Sequence, residues 1–214
     1  MKNTLIVMSS NREMEEATRE TVARLAHAGA VRLMETGSSD VALARCRALS
    51  WACEQLRRFT DRDVVLMLDD DMEVPTETAQ LLADTARERG RPCSAAYATT
   101  TASLAAKRWT ERPGTWLVGL GCIAIPRTVL LDLESRAEKF EFMAQQLTAF
   151  TWSGAQNGEW VSEDYRLSMN LGGVHLMPVA VGHIKKGSIW PDVETLKRLE
   201  KLAPDVHSLD AQPS

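Results

Sequence analysis

The sequence predicts an α/β fold with a mostly parallel, Rossmann-like sheet flanked by helices, because strand and helix patterns alternate up to residue 90. The length of 214 residues, with 44% hydrophobic and 25% charged residues, suits one domain with a substantial core. No internal repeat or linker interrupts the order. We therefore expect a single domain over residues 1–203 and a flexible tail over residues 204–214, which lack apolar periodicity.

Three β-α units are predicted in the amino-terminal part of the chain. Strands are predicted at residues 5–8, 31–34 and 64–68. The run at 64–68 is continuously apolar, which is typical of a parallel strand covered on both faces. Apolar residues at helical spacing predict helices at residues 14–28, 41–56 and 76–90, the second of them capped by Asp40. Ligands of such a sheet bind outside the carboxyl ends of its strands, so functional residues are expected there.

The carboxyl-terminal part has a more mixed pattern. It predicts strands at residues 94–100, 116–125 and 174–181, and helices at residues 138–150 and 162–171. Pro191 opens a last helix.

Net charge, cysteine spacing and the length of the apolar runs argue against several classes of protein. The formal charge of −4 gives no global attraction to nucleic acid or acidic membranes, although net charge does not exclude a local basic patch. The cysteines lack CxxC spacing, which argues against a zinc knuckle or a thioredoxin-like pair, so we expect them reduced and buried. No apolar run approaches the ~20 residues of a membrane span, and the first apolar run is too short for a signal peptide. We expect a cytoplasmic protein.

Three adjacent carboxylates, Asp69 to Asp71, directly follow the third predicted strand. Their mutual repulsion disfavours this arrangement unless a cation neutralises it. Side chains alternate along an extended backbone, so Asp69 and Asp71 can face one side while Asp70 points away. Two such carboxylates suit Mg²⁺ or Mn²⁺ shared with substrate phosphates. The alternative is a solvated acidic loop that only starts the next helix.

Four landmarks together resemble glycosyltransferases of the GT-A fold, including small bacterial and phage-encoded members. They are the segments 68–72 (LDDDM, the DxD motif), 119–127 (GLGCIAIPR, the glycine loop), 162–164 (SED, the xED motif) and 181–184 (VGHI, the carboxyl-terminal histidine). The resemblance implies a single GT-A domain, with a nucleotide-binding half at residues 1–75 and an acceptor and catalytic half at residues 90–190. It also implies a metal-dependent transfer of a sugar from a UDP- or GDP-sugar to a nucleophilic acceptor.

The resemblance assigns the metal, Mn²⁺ or Mg²⁺, to Asp69, Asp71 and His183, with Asp71 as the direct ligand. A neutral imidazole is a competent metal ligand, while the alternative for His183 is a lone surface histidine. Arg45 is the candidate contact to the donor phosphate or base, in a segment where Cys46 replaces the asparagine of related transferases.

Further donor contacts are expected from residues on both halves of the chain. Gly119 and Gly121 allow close backbone approach to a sugar, unless they form an ordinary bulge. Lys185 and Lys186 can offset charge on the departing nucleoside diphosphate, or form a solvated pair. The remaining donor-site candidates are Ser9, Asp40 and Asp69.

The resemblance implies Asp164 as the catalytic base, which takes the acceptor proton in inverting members. Glu163 is the second catalytic-site residue and is expected to support the acceptor or the loop. Inversion is favoured over retention. Both carboxylates also lie in the first turn of a helix, where the macrodipole stabilises them whatever their function. Trp152 and Trp160 flank a polar loop, and core packing is favoured for each over stacking on a sugar or base.

The acceptor stays open among a saccharide, a peptide, a small molecule and a modified nucleobase in DNA. Two alternatives to transfer remain: a nucleotide-sugar-binding protein without turnover, and a nucleotidyltransferase. The second would need a glycine-rich phosphate loop after the first strand, where Ser9 to Arg12 provide none. A metal-dependent nuclease would not account for the glycine loop and the histidine together.

Overall fold

A computed structural model describes residues 1, 3–10, 14–32, 36–37, 40–99, 104–184 and 188–202. These residues form an α/β structure with six helices and a mixed central sheet. The helices are α1 (Glu16–His27), α2 (Val41–Arg58), α3 (Thr76–Arg89), α4 (Arg127–Arg136), α5 (Glu163–Asn170) and α6 (Val193–Leu202). The first eight strands are β1 (Thr4–Ser10), β2 (Val31–Arg32), β3 (Thr36–Gly37), β4 (Val64–Asp69), β5 (Met72–Glu73), β6 (Cys93–Ala96), β7 (Ala106–Arg108) and β8 (Trp116–Val118). The last eight are β9 (Cys122–Pro126), β10 (Lys139–Phe142), β11 (Gln145–Thr148), β12 (Gly154–Gln156), β13 (Glu159–Val161), β14 (His175–Ala180), β15 (Gly182–Ile184) and β16 (Ser188–Ile189).

The central sheet has the strand order β14-β6-β9-β4-β1-β2, with β3 also pairing with β1. Strand β9 is antiparallel to both neighbours, β4 and β6, whereas the other pairs are parallel. The prediction of a mostly parallel sheet is therefore wrong. The reason is that β7 and β8 pair with each other after β6 without a crossover helix, so β9 starts near the carboxyl ends of its neighbours and runs back.

Both faces of the central sheet are buried, as the continuous apolar run at residues 64–68 predicted. In β1, Leu5 and Val7 belong to the same buried cluster as residues of α2, α4 and α5, whereas Ile6 and Met8 belong to the cluster that includes residues of α1 and α3. The free cysteines are all buried, two on each side of the sheet: Cys46, Cys53, Cys93 and Cys122. Burial raises the pKa of each thiol above its usual value, so the thiols resist ionisation.

Two hairpins replace elements that the sequence analysis predicted differently. The helix predicted at residues 138–150 is wrong, because β10 and β11 form an antiparallel hairpin there. Its turn residues Met143 and Ala144 have positive φ angles of 49° and 59°. A second hairpin, β12–β13, turns at Asn157 and Gly158, whose φ angles are 51° and 83°. The strand predicted at residues 116–125 is two strands, β8 and β9, interrupted at the glycine loop.

A small antiparallel sheet joins the end of the chain to the acidic segment after β4. Strand β15 pairs with β5, so that His183 is the register partner of Met72. The backbone N–H of Ile184 also donates to the carbonyl oxygen of Asp71, at 2.8 Å. His183 is thereby fixed beside the carboxyl end of β4. None of the helices described above combines the length and the apolar composition that a membrane span requires.

Candidate functional site

The side chain of Arg45 occupies the centre of the candidate site and is only 3% exposed. Its Nη2 donates to Asp69 Oδ2 at 2.9 Å, and its Nη1 donates to Glu163 Oε1 at 3.1 Å. Nη1 also lies 2.6 Å from Asp164 Oδ1, as an ion pair without hydrogen-bond geometry. One cation thus joins three carboxylates, and we call these four residues the Arg45 cluster.

Residues of three elements, β4, α2 and α5, form the cluster at the carboxyl end of β4 in the central sheet. Asp69 is the last residue of β4, and Arg45 lies in the second turn of α2, whose N-cap Asp40 accepts from the backbone N–H of Leu43. Glu163 and Asp164 open α5 after the N-cap residue Ser162. The helix dipole stabilises carboxylates at that position, so α5 can carry two of them side by side.

Burial acts differently on the three carboxylates. It raises the pKa of Asp164 to about 6 against the lowering effect of Arg45, and it likewise raises the pKa of Asp69 despite the Arg45 charge. For Glu163, burial is outweighed by hydrogen bonds from Ser153 and by Arg45, so its pKa lies below the usual value. Burial also opposes the charge of Arg45, but the three carboxylates together raise its pKa. The guanidinium is therefore permanently charged, whereas Asp164 can exchange a proton near neutral pH.

Asp69 Oδ1 is a buried atom that finds no hydrogen-bond partner within the described part of the chain. The cluster also carries three carboxylates against a single cation. Unpaired buried oxygens and surplus negative charge are both unfavourable in a folded protein. Both features would be relieved by a cationic or hydrogen-bonding ligand.

Asp71 and His183 form a second pair beside the cluster. Nδ1 of His183 lies 3.1 Å from the carbonyl oxygen of Ala98, and because a carbonyl only accepts, Nδ1 carries a proton. Nε2 lies 3.1 Å from Asp71 Oδ2. In the neutral ring that nitrogen is an acceptor facing a second acceptor, so the pair requires either another proton or a cation.

The donor set of this pair fits a divalent cation. A histidine that ligates a metal commonly donates its other ring N–H to a backbone carbonyl, as His183 does to Ala98. Neighbouring ligands of an octahedral ion with bonds of about 2.1 Å lie about 3 Å apart, close to the observed separation of Nε2 and Oδ2. The described residues include no group of three or more His, Cys, Asp or Glu side chains that could hold a metal ion. Water or substrate oxygens would have to complete the coordination shell.

Tyr97 is a buried residue that the sequence analysis missed. A Cβ added to Gly119 would lie 2.0 Å from Tyr97 Oη, and one added to Gly121 would lie 2.7 Å from the sulfur of Met72. The ring of Tyr97 also meets His183 edge-on, with centroids 5.4 Å apart. In this structure, the glycines predicted to approach a sugar make room for Tyr97 and Met72. The backbone between them contributes the N–H of Leu120, which hydrogen-bonds to Asp164.

The other predicted site residues lie as follows. Ser9 is buried in β1 as the register partner of Asp69, and Asp40 is the exposed cap of α2. Arg45, predicted to contact the donor, is instead enclosed by protein carboxylates. Lys185 and Lys186 lie outside the described residues, as does the tail predicted at residues 204–214.

Ser153 is a further contact of the Arg45 cluster, and the two tryptophans near it are more exposed than expected. Ser153 Oγ donates to Glu163 Oε2 at 2.8 Å and accepts from the backbone N–H of Glu163 at 3.1 Å. Trp152 is 49% exposed and Trp160 is 75% exposed, so core packing was the wrong prediction for both. The Asn157-Gly158 pair, typical of a tight hairpin turn, was the sequence feature that could have revealed their surroundings.

Comparison with known proteins gives a likeness of fold. No protein-family model matches the sequence, and no curated protein matches it. The structure is similar to that of A197 from STIV, with a TM-score of 0.57 and 18% identity over 86% of each chain. It also matches the nucleoside-diphosphate-sugar pyrophosphorylase from Vibrio cholerae RC9, with a TM-score of 0.33 and 12% identity over 81% of this chain and 71% of that one. The second match is too distant to support any argument, and the likeness to A197 from STIV concerns the fold alone.

Proposed function

We propose that this chain is a glycosyltransferase of the GT-A fold, which moves a sugar from a UDP- or GDP-sugar to a nucleophilic acceptor. The observation that carries the proposal is the pairing of Asp71 with His183 directly beside the Arg45 cluster. The DxD, xED and histidine segments meet at one edge of the sheet, although 112 residues separate Asp71 from His183. This edge is where ligands of open α/β sheets bind.

Asp71 and His183 are the residues that would hold Mn²⁺ or Mg²⁺ in this proposal. The bound ion would supply positive charge to the diphosphate of the donor. Asp69 would contribute less directly to holding the ion, because its Oδ2 accepts from Arg45 and only Oδ1 is left for a ligand. The proposal therefore keeps the three predicted residues but separates their roles.

Asp164 is the proposed catalytic base. With a pKa of about 6, its carboxylate is ionised at neutral pH and is more basic than an ordinary aspartate. It would take the proton of the acceptor hydroxyl as the acceptor oxygen bonds to the anomeric carbon. The bond between that carbon and the diphosphate oxygen breaks, and the nucleoside diphosphate leaves with the bonding electrons.

Arg45 and Glu163 are positioning residues in this mechanism. Glu163 is held by Ser153 and Arg45, so its carboxylate is committed to protein contacts. Arg45 joins Asp69 of the metal side to Asp164 of the acceptor side. Their role is to keep the base and the acidic motif in a constant relative position, as transfer in a near-attack geometry requires.

Calorimetry of UDP- and GDP-sugars against the purified chain, with and without Mn²⁺, tests the proposal. We expect Mn²⁺-dependent binding that Asp71→Asn and His183→Gln each weaken by about 10- to 100-fold, the range typical of changes near a metal site. Asp61→Asn, a change in an exposed carboxylate of the turn before β4, is the matched control.

The possible outcomes of this test have different meanings. Binding that is unchanged in excess chelator, or equal in all variants, would contradict the metal site. Binding followed by sugar transfer to an acceptor would support the transferase. Binding without turnover across acceptor classes favours the nucleotide-sugar-binding alternative, and release of pyrophosphate from a nucleoside triphosphate and a sugar phosphate favours the nucleotidyltransferase.

A further inference from the structure

Two exposed tryptophans lie beside the proposed catalytic carboxylates. Trp160 is 75% exposed and Trp152 is 49% exposed, although tryptophan is largely buried in most proteins. Trp152 lies before β12 and Trp160 lies in β13, and we call residues 152–161 the tryptophan hairpin. An exposed aromatic surface of this kind often marks a binding site.

The backbone of the tryptophan hairpin is well defined by its pairing. Ala155 is the register partner of Trp160, and Asn157 and Gly158 both have the positive φ angles of a two-residue turn. Because the methyl group of Ala155 is too small to stack on an indole, Trp160 has no large cross-strand partner. Its ring is therefore presented outward by a regular hairpin.

The amino-terminal end of the hairpin is hydrogen-bonded to the first residue of α5. Ser153 exchanges two hydrogen bonds with Glu163, and the hydroxyl of Thr151 donates to the carbonyl oxygen of Glu163. Trp160 precedes Asp164 by only four residues. A ligand resting on this hairpin would thus lie close to the proposed base.

Arg166 fixes the position of Trp152 from the protein side. The guanidinium carbon lies 4.9 Å from the centre of the Trp152 ring, and Nη1 donates to the side chain of Gln156. Arg166 is itself only 7% exposed. Trp152 and Gln156 thus share one face of the hairpin, whereas Trp160, as the partner of Ala155, lies on the other face.

The negative charge near the tryptophan hairpin favours a neutral ligand over an anionic one among ligands that can stack on an indole. The Arg45 cluster has three carboxylates against one cation, and exposed Glu159 adjoins Trp160 in β13. Such a surface repels a polyanion such as single-stranded DNA. A neutral saccharide instead offers an apolar ring face to an indole and hydroxyl donors to carboxylates.

We infer that Trp160 is the platform on which a neutral saccharide acceptor binds, next to Asp164. The inference rests on the proposed function and specifies its acceptor. A saccharide stacked on the hairpin would present a hydroxyl toward the base, while the donor would lie toward Asp71 and His183. The tryptophan hairpin would then determine which glycans are accepted.

The test titrates the ¹⁵N-labelled full chain with five neutral tetrasaccharides: malto-, cello-, laminari-, xylo- and chitotetraose. The indole N–H resonances of the six tryptophans report binding, and Trp160→Ala identifies the Trp160 resonance. We expect that resonance to shift with at least one glycan. We also expect Trp160→Ala to raise the Kd about tenfold or more, since exposed aromatic anchors commonly contribute on that scale.

Phe59→Ala, a truncation of a 51% exposed aromatic residue at the end of α2, is the matched control and should leave the Kd unchanged. Mn²⁺-dependent binding of UDP- or GDP-sugar is measured on the same samples and should be unaffected by Trp160→Ala. No binding of any glycan, or equal binding by Trp160→Ala, would overturn the inference. Binding of an oligothymidylate through Trp160 in place of the glycans would also overturn it.

Failure of the inference can be told apart from failure of the proposed function. If the chain binds a nucleotide sugar but its binding of glycans does not depend on Trp160, the platform is wrong and the transferase stands. If glycans bind through Trp160 but no nucleotide sugar binds, the platform stands and the transferase is wrong.

Discussion

Replacing the proposed base, Asp164→Asn, should stabilise the protein at pH 7.5. The carboxyl group has a pKa of about 6 in the folded chain against an ordinary value of 3.8, chiefly because of burial. Each pKa unit corresponds to about 1.36 kcal/mol, so ionisation of Asp164 disfavours the folded state by about 3 kcal/mol at pH 7.5. Asparagine preserves the shape and can still accept from the N–H of Leu120, but it carries no charge.

The pH dependence of this effect has a definite sign. A carboxyl group whose folded pKa is raised favours folding fully below its unfolded pKa, and that contribution is lost as the pH rises through the folded pKa. The advantage of Asp164→Asn should therefore fall from about 3 kcal/mol at pH 7.5 to about half of that at pH 5 and to about 0.5 kcal/mol at pH 4. Urea denaturation of both proteins at these three pH values, with chelator present, measures the differences.

Glu163→Gln is the matched control, because it changes the adjacent carboxylate. Hydrogen bonds from Ser153 and the charge of Arg45 keep the pKa of Glu163 below its usual value despite burial. Its ionisation therefore stabilises the fold above the unfolded pKa, and Glu163→Gln should destabilise the protein at pH 7.5. If Asp164→Asn were instead destabilising by more than 1 kcal/mol, equally at pH 5 and 7.5, Asp164 would be a structural ion-pair partner and the argument for a base of raised pKa would fail.

Three further predictions concern function and the interior of the site. Asp164→Asn should keep nucleotide-sugar affinity in calorimetry but lower the transfer rate by about 10²- to 10⁴-fold, and loss of both together would assign it to the donor site. Arg45→Met should lower the free energy of unfolding by about 3 kcal/mol at neutral pH in urea titrations, because it leaves three carboxylates without their cation; an unchanged midpoint would contradict the role of Arg45. Gly119→Ala should lower the stability by about 1–3 kcal/mol, since its Cβ would meet Tyr97 Oη, and Tyr97→Phe in the same chain should recover part of that loss in thermal denaturation.

The first and third β-α units were predictable because β1 and β4 each contain a continuous apolar run. Val64 to Leu68 are all fully buried, as a strand covered on both faces requires. The β10–β11 hairpin was missed because its turn, Met143-Ala144, contains neither glycine nor asparagine despite its positive φ angles. The alternation of Lys139, Phe140, Glu141 and Phe142 favoured a strand and was the better guide there.

The candidate site was predictable in its members but not in its contacts. Asp71 and His183 could be placed together only through the resemblance, since no local pattern reports a pairing between β5 and β15. The enclosure of Arg45 was unpredictable for the same reason, because its partners Glu163 and Asp164 lie far away in sequence. Nor does a glycine pattern tell which side chain occupies the space beside it, and here that side chain is Tyr97.

The contacts of the site differ widely in the length of chain that they close. Arg45 and Asp69 are 24 residues apart, whereas Arg45 and Glu163 are 118 apart and Asp71 and His183 are 112 apart. Closing a longer loop loses more chain entropy, so the short-range pair can form early and the others follow when the last third of the chain docks. During synthesis, Arg45 and Asp69 are therefore both available to pair before Glu163 and Asp164 have been added to the chain.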